Sequence, residues 1–280
     1  MAAVVLDGTG LARRRLPMLA ARAEAVLTRR GRAPALVLVT FGDDRGHAPH
    51  VARKQRMCAD AGVDLIPLIF EPGVRTRVAL AHMRELLKER SFDGVFVQVP
   101  FPDGIDGDSL VSAVPVELDV DIMTPVRTAR YMNGTDVLPP VTVSAALLLL
   151  DEYDISIEGR RGIVVAEEHP FSLMLRAALV LRGADMRAPV HPADPGLKEH
   201  VRAADLVVVA AGVPGLLHST MIRPGAVAID AGYFNAGGRG DIDLTGGIDH
   251  LAAISPVPGG IGPMTISALL ERVVLFAEQN

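Results

Sequence analysis

The segment His47-Ala-Pro-His50-Val-Ala-Arg-Lys54 carries the densest chemistry in the chain. Positions 47, 50 and 54 are spaced i, i+3, i+7, so a helix here sets them on one face. His50 and Lys54 then stand side by side. A partly desolvated lysine next to another potential cation loses proton affinity and can shuttle protons near neutral pH. Arg53 and Arg56 in the same stretch support the plainer alternative, a solvated basic face. Gln98 interrupts the apolar run Val95-Phe-Val-Gln-Val99. A polar amide in a central strand must find hydrogen bonds, and α/β folds bind ligands at the carboxyl ends of their strands. Its alternative is a structural amide satisfied by a loop. In Asp119-Val-Asp121, one carboxylate can hold an aminopyrimidine-like group by paired hydrogen bonds while the other caps a turn. Pro256-Val-Pro-Gly-Gly-Ile-Gly-Pro263 is too rich in Gly and Pro for an ordinary loop. Its glycines let backbone approach a flat ligand, and Pro263 suits the first turn of a helix.

Alternating apolar runs and helical periods must position these groups. Ala35–Thr40, Val63–Phe70 and Gly94–Val99 are predicted strands, with Pro67 marking the second as an edge. Helices are predicted over about 47–61 and 75–90 between them. This β-α-β-α-β order favours a parallel sheet covered by helices. The stretch from about Asp121 to Pro140, with Pro125, Gly134 and Pro139-Pro140, is expected to be an irregular crossover. A linking helix follows over 142–150. Beyond it, strands are predicted at 162–166, 186–190, 206–210, 227–230 and 252–255, and helices at 170–182 and 265–277. The expected fold is α/β with two lobes flanking a cleft. Residues 1–121 plus 265–280 form the N-terminal catalytic domain, and 122–264 a Rossmann-like domain.

In that second lobe, the strand Ile163-Val-Val165 leads into Ala166-Glu167-Glu168-His169-Pro170-Phe-Ser172. A dinucleotide fold carries its glycine-rich phosphate turn here, yet this turn has no glycine. Its two carboxylates put negative charge where a pyrophosphate wants a bare helix N-terminus. Like charges about 4 Å apart repel by about 4 kcal/mol at intermediate dielectric. A conventionally bound dinucleotide is disfavoured.

The 280 residues carry 28 Lys+Arg against 33 Asp+Glu, a net charge of −5, which argues against a nucleic-acid binder. Hydrophobic residues make up 49% of the chain, enough for a substantial core. One cysteine, Cys58, excludes an internal disulfide or a Cys-rich zinc site and agrees with a reducing cytosol. No metal site is expected. The apolar runs are far short of the roughly 20 residues that cross a bilayer. No signal peptide is recognised, and a cytoplasmic protein with no membrane or nucleic-acid partner is expected.

Together the segments resemble the bifunctional methylenetetrahydrofolate dehydrogenase/cyclohydrolase (FolD) family nearly end to end. The resemblance rests on Asp7-Gly8, Asp93-Gly-Val-Phe-Val-Gln-Val-Pro-Phe-Pro102, Asp119-Val-Asp121 and Ser255-Pro-Val-Pro-Gly-Gly-Ile-Gly-Pro-Met-Thr265. It implies a folate cleft between two α/β lobes and a homodimer. It implies Lys54 as the catalytic lysine, Gln98 as the glutamine that contacts and tunes it, and Asp121 as the aspartate that grips the pterin. Val99, Pro100 and the strip Pro258, Gly259, Gly260, Ile261 fall among the folate contacts. The departures are as specific. His50 stands where the family has a stacking tyrosine, and adds a group titrating near pH 6.5. Leu118 and Ile122 replace a lysine and a glycine around Asp121, and Val141-Thr-Val143 alters a further segment. The turn Ala166, Glu167, Glu168, His169 replaces the loop that would hold the NADP phosphates, so no cofactor-binding residues are expected.

The sequence therefore predicts a folate one-carbon enzyme acting on 5,10-methylene- or 5,10-methenyltetrahydrofolate without hydride transfer. Lys54, His50, Gln98 and Asp121 would carry cyclohydrolase-type hydrolysis, or methylene transfer to a second small-molecule nucleophile. The alternatives are an NADP-dependent dehydrogenase/cyclohydrolase and a non-catalytic folate-binding protein.

Overall fold

In the computed structural model of the chain, residues 2–42, 48–88, 92–232 and 238–280 are described, with 48–50 and 53 in backbone only. The chain divides into two compact units. Unit 1 holds Met1–Arg14 and Leu138–Thr265, and unit 2 holds Arg15–Val137 and Ile266–Asn280. The division departs from the expected boundaries by one residue at Thr265, which falls in unit 1, and by longer segments at two further places. Strand β1 (Val4–Val5) pairs in parallel with a strand at Ala253–Ser255, which takes the first residues into unit 1. Residues 122–137 belong to unit 2.

Helix α1 (Gly8–Arg30) follows β1. Unit 2 then builds a parallel three-stranded sheet from β2 (Ala35–Phe41), β3 (Asp64–Phe70) and β4 (Gly94–Val97), in the order β3-β2-β4. Every residue of β2 is buried, as a central parallel strand requires. Pro67 lies on the edge strand, paired in register with Leu38. Helices α2 (Ala48–Asp60) and α3 (Thr76–Leu87) make the crossovers, and α4 (Gly107–Ser112) follows β4. The apolar core gathers alternate residues Ala35, Val37 and Val39 of β2 with Met83 of α3 and Leu110 of α4. Asp93, fully buried at the start of β4, accepts hydrogen bonds from Arg30 and Arg32 and from the Ala35 N–H.

The expected crossover is more regular than its prolines suggest. Residues Pro125–Met132 form α5, whose N-cap Thr124 accepts a hydrogen bond from the Arg127 N–H. Pro125 sits in the first turn, where a missing N–H costs nothing, so it starts the helix rather than breaking it.

Unit 1 continues with α6 (Val141–Glu152), β5 (Arg161–Val165), α7 (Pro170–Leu181), β6 (Asp185–Met186), α8 (Leu197–Ala203) and β7 (Leu206–Val209). It ends with β8 (Leu217–His218), β9 (Val227–Asp230), β10 (Ile242–Asp243) and β11 (Ala253–Ser255). Helix α9 (Ile261–Gln279) closes the chain. The main sheet has six parallel strands in the order β1-β11-β9-β7-β5-β6, and β8 pairs with β10 separately. Its core collects one face of the strands, including Ile163, Val165, Val207, Val209, Ala228 and Ile254. Strand β6 is shorter than the predicted 186–190. From Gly162↔Met186 to the bridge Val165↔Val190, β5 advances three residues and its neighbour four, so the segment with Pro189 bulges out of the ladder.

Candidate active site

Helix α2 carries Lys54, and β4 ends immediately before Gln98. The Gln98 N–H still follows the sheet, donating to the Val39 carbonyl at 2.9 Å. Its side chain turns to α2, where the Lys54 ammonium donates to Oε1. Gln98 Nε2 donates to the Val99 carbonyl at 2.6 Å, which orients the amide so that its oxygen faces the lysine. Lys54 Nζ also lies 5.6 Å above the centre of the Phe96 ring. An amide oxygen and an aromatic face both suit an ammonium. One turn on, the buried Cys58 thiol is pushed up to about 12 by burial, against a downward pull from the Lys54 charge. Val99 and Pro100 are exposed beyond Gln98, joined by a cis peptide bond. The side chain of His50 and all of His47 lie outside the described residues, so the expected pairing of His50 with Lys54 is not described.

The two carboxylates of Asp119-Val-Asp121 have different surroundings. Asp119 is 3% exposed and accepts the N–H groups of Met123 (3.2 Å) and Thr124 (2.8 Å), so it caps the turn. Asp121 is half-buried. The turn is laid along β4 by a parallel bridge between Val95 and Asp119, and Val120 fills the space over Gly94 that any Cβ there would occupy. The chain thus runs parallel to β4, toward the end where Gln98 stands. Ile122 follows with φ +62° and no exposure. A β-branched residue in this region is an outlier, and such outliers cluster at ligand-binding turns.

The approach to Asp121 also includes a residue the sequence reading missed. Arg272 of α9 is 5% exposed, and its Nη1 donates to the Val120 carbonyl at 3.4 Å. Burial pushes its guanidinium down to about 10, against the opposing pull of the Asp121 carboxylate, so it stays charged at neutral pH. A charge inside the run Leu269-Leu-Glu-Arg-Val-Val274 was the available signal.

In unit 1, the turn from β5 to α7 is closed upon itself. His169 is the N-cap, and its Nδ1 accepts the Phe171 N–H at 3.4 Å. Ser172 Oγ accepts the His169 N–H at 3.1 Å and donates to the Glu167 carbonyl at 2.9 Å. Pro170, at the first position, has no N–H to offer. Glu167 and Glu168 are exposed. After β7, the N–H groups of Ala211 and Gly212 are both taken by the buried Asp241 carboxylate. A dinucleotide pyrophosphate needs bare N–H donors at the β5–α7 turn, and the residues present do not fit it in that way.

The strip Pro258, Gly259, Gly260, Ile261 leads into α9, which starts at Ile261 rather than Thr265, with Pro263 in its first turn as expected. Gly259 has φ +109°, and its carbonyl accepts the Thr9 N–H at 2.8 Å. A Cβ on Gly8 would overlap the Gly260 carbonyl oxygen, so these glycines serve close backbone packing within the unit. Among the described residues, no group of three or more His, Cys, Asp or Glu gathers as a metal site would need. No helix among them is long and apolar enough to cross a membrane.

Comparison with known proteins bears on these parts together. Residues 6–121 match the family described as "Tetrahydrofolate dehydrogenase/cyclohydrolase, catalytic domain". Residues 140–280 match "Tetrahydrofolate dehydrogenase/cyclohydrolase, NAD(P)-binding domain". The bifunctional protein FolD of Methanospirillum hungatei is 35% identical over 280 residues, covering 99% of this chain and 98% of that protein. The FolD of Acidithiobacillus ferrooxidans is 34% identical over 283 residues, covering 100% and 98%. Among solved structures, the bifunctional FolD methylenetetrahydrofolate dehydrogenase/cyclohydrolase of Campylobacter jejuni superposes with a TM-score of 0.90 at 28% identity, covering 99% of each chain. The Trypanosoma brucei methylenetetrahydrofolate dehydrogenase-cyclohydrolase, complexed with NADP cofactor and inhibitor, also gives 0.90 at 28%, covering 100% of this chain and 98% of that one.

Proposed function

The chain belongs to the tetrahydrofolate dehydrogenase/cyclohydrolase family, and from that premise we propose that it is an NAD(P)-dependent methylenetetrahydrofolate dehydrogenase/cyclohydrolase. The expected enzyme without hydride transfer gives way to this reading, as does the expectation that no nicotinamide cofactor binds. The redox half is supported by the match of residues 140–280 to an NAD(P)-binding domain and by the likeness to a relative solved with NADP.

The hydrolytic half is carried by one observation, the Lys54–Gln98 hydrogen bond at the carboxyl end of β4. Water adding to the methenyl bridge must lose a proton; the ring nitrogen that departs must gain one, while the hydroxyl left on the carbon releases its proton as it becomes the formyl oxygen. Lys54 is the shuttle for these transfers. Gln98, locked by its bond to the Val99 carbonyl, occupies one ammonium hydrogen and aims the others. Asp121 accepts the amino-pyrimidine edge of the pterin, and Val99 and Pro100 contact the folate. His50 remains a proposed partner of the ligand and of Lys54.

One observation favours a second reading, a cyclohydrolase that performs no redox step. The helix N-terminus after β5 is capped by His169 and flanked by Glu167 and Glu168. Absorbance at 340 nm with methylenetetrahydrofolate and NADP or NAD separates the two. Growth of the reduced-nicotinamide signal supports the dehydrogenase/cyclohydrolase. No signal at high enzyme concentration, with methenyltetrahydrofolate still hydrolysed, favours the second reading. Mass spectrometry of every one-carbon product tests for a second nucleophile. A cytoplasmic location and a homodimer complete the proposal, and cell fractionation and light scattering test them.

A further inference from the structure

We infer that Arg272 is a positioning residue for folate recognition: its buried guanidinium, tied to the Val120 carbonyl, keeps the neighbouring Asp121 carboxylate ionised and in place for the pterin. The inference rests on the proposed folate role of Asp121 and adds the residue that makes that role dependable.

The argument begins with burial. Arg272 lies on α9 between Leu269, Leu270, Val273 and Val274, each 2% exposed or less. A guanidinium in such a stripe is costly unless a counter-charge and hydrogen-bond acceptors meet it. The Val120 carbonyl is one acceptor, and it belongs to the residue immediately before Asp121. Four charged side chains act on Arg272, namely Asp121, Arg127, Asp136 and Glu271. Three of them are engaged with one another or with other cations. Arg127 pairs with Asp136 at 2.7 Å and lies 5.5 Å over the Phe276 ring. Glu271 meets Arg15 at 2.6 Å and Arg22 at 3.5 Å. Of the four, the Asp121 charge offsets the burial of Arg272 most strongly.

The backbone of Asp121 is fixed as well. Asp119 holds the N–H groups of Met123 and Thr124 on one side, Arg272 holds the Val120 carbonyl, and Ile122 packs fully buried in the left-handed region. An ionised carboxylate accepts two hydrogen bonds from an aminopyrimidine edge, whereas a protonated one turns an acceptor into a donor. A buried cation beside it favours the charged form. Folate recognition then extends to lower pH than an unassisted carboxylate allows.

The test compares Arg272→Met, Arg272→Gln and Arg272→Lys in the full chain, with Asp121→Asn alongside. KM for methenyltetrahydrofolate, kcat, and the acid limb of kcat/KM are measured for each. Arg272→Met is expected to raise the folate KM about tenfold, a loss of about 1.4 kcal/mol, with kcat changed less than about threefold. Its acid limb moves up by about one pH unit, and Arg272→Lys restores the limb. A folded Arg272→Met with folate KM unchanged overturns the inference. So does a raised KM with an unmoved acid limb, which is the mark of a merely structural arginine. If Arg272→Met does not fold, Arg272→Gln decides by the same two measurements. An unchanged folate KM in Asp121→Asn overturns the folate role of Asp121 itself. Loss of folate binding in Asp121→Asn beside an unaffected Arg272→Met overturns the inference alone.

Discussion

The ammonium of Lys54 donates a hydrogen bond to the side-chain oxygen of Gln98, 44 residues later in the chain. Neither residue alone distinguishes a catalytic pair from a solvated lysine and a structural amide. Their contact supports the proposed proton-handling pair, with Gln98 held by the Val99 carbonyl and Lys54 over Phe96.

Replacing Lys54 with Met keeps the length of the side chain and removes its protons. Methenyltetrahydrofolate hydrolysis should fall by about 10²- to 10⁴-fold in kcat, the usual weight of a proton-transfer group. The melting temperature should stay within a few degrees of wild type. Stopped-flow absorbance of the methenyl chromophore and a thermal melt check both statements. Activity that survives intact removes Lys54 from the mechanism.

Glu167 and Glu168 are exposed at the turn before α7, so their repulsion of an anion acts through water, at about 1 kcal/mol for a charge some 4 Å away. The double variant Glu167→Ala/Glu168→Ala should lower the KM for NADP or NAD several-fold and leave the folate KM unchanged. Steady-state kinetics with each dinucleotide measures it. An unaltered dinucleotide KM shows that the phosphates pass elsewhere.

Stability should depend on pH through Asp230. Burial, with a smaller push from Asp241, raises its carboxyl to about 7 despite the N–H groups of Gly232, Asp241 and Ile242 that it accepts. An unfolded aspartate titrates near about 3.9. Between about 4 and 7 the folded chain therefore holds the proton that the unfolded chain has released. This contribution is full below that window and is lost as pH rises through it, by up to about 1.4 kcal/mol per pH unit. Urea unfolding at pH 5, 6, 7 and 8 should show the decline. Asp230→Asn should flatten it while lowering stability at pH 5, since an amide has one oxygen for three donors. Asp106, Asp205, Asp243 and Glu278 are held below their ordinary values by hydrogen bonds or cations, so they act in the other direction and only at lower pH.

Two glycines near the ends of the chain should respond oppositely to alanine. At Gly8 the added Cβ meets the Gly260 carbonyl, and overpacking against backbone should cost about 1–3 kcal/mol. At Gly262, in the first turn of α9, nothing lies within 4 Å, and alanine should gain about 0.5–1 kcal/mol from helix propensity. Chemical denaturation of the two variants checks the contrast. A destabilised Gly262→Ala would contradict the packing described for α9.

Local patterns made much of this architecture legible. Continuous apolar runs mark β2, β5, β7 and β9 because parallel strands are buried on both faces, and the edge position of β3 is announced by Pro67. Helix α1 escaped because its mean polarity and Pro17 hide its period. Helix α5 escapes because Pro125 reads as a breaker, whereas Thr124 sets it at a helix start. The α/β fold class and the family were thus available from the chain alone, carried by short segments whose residue types only one chemistry uses.

What the sequence could not determine is which charge belongs to which partner. By residue type alone Asp119 and Asp121 are interchangeable, only the family resemblance singling out Asp121, and Arg272 goes unremarked. Folding buries Asp119 under two backbone N–H groups and leaves Asp121 half-buried, with Arg272 reaching the Val120 carbonyl from α9 some 150 residues away. It also spends the Phe171 N–H of the β5–α7 turn on His169 Nδ1 and the His169 N–H on Ser172 Oγ, pairings that residue types do not announce. The physical reason is common to these cases. Apolar burial follows from period and composition along the chain, but the worth of a charge or a hydrogen-bond donor depends on groups brought to within about 4 Å of it, and only the tertiary structure supplies those.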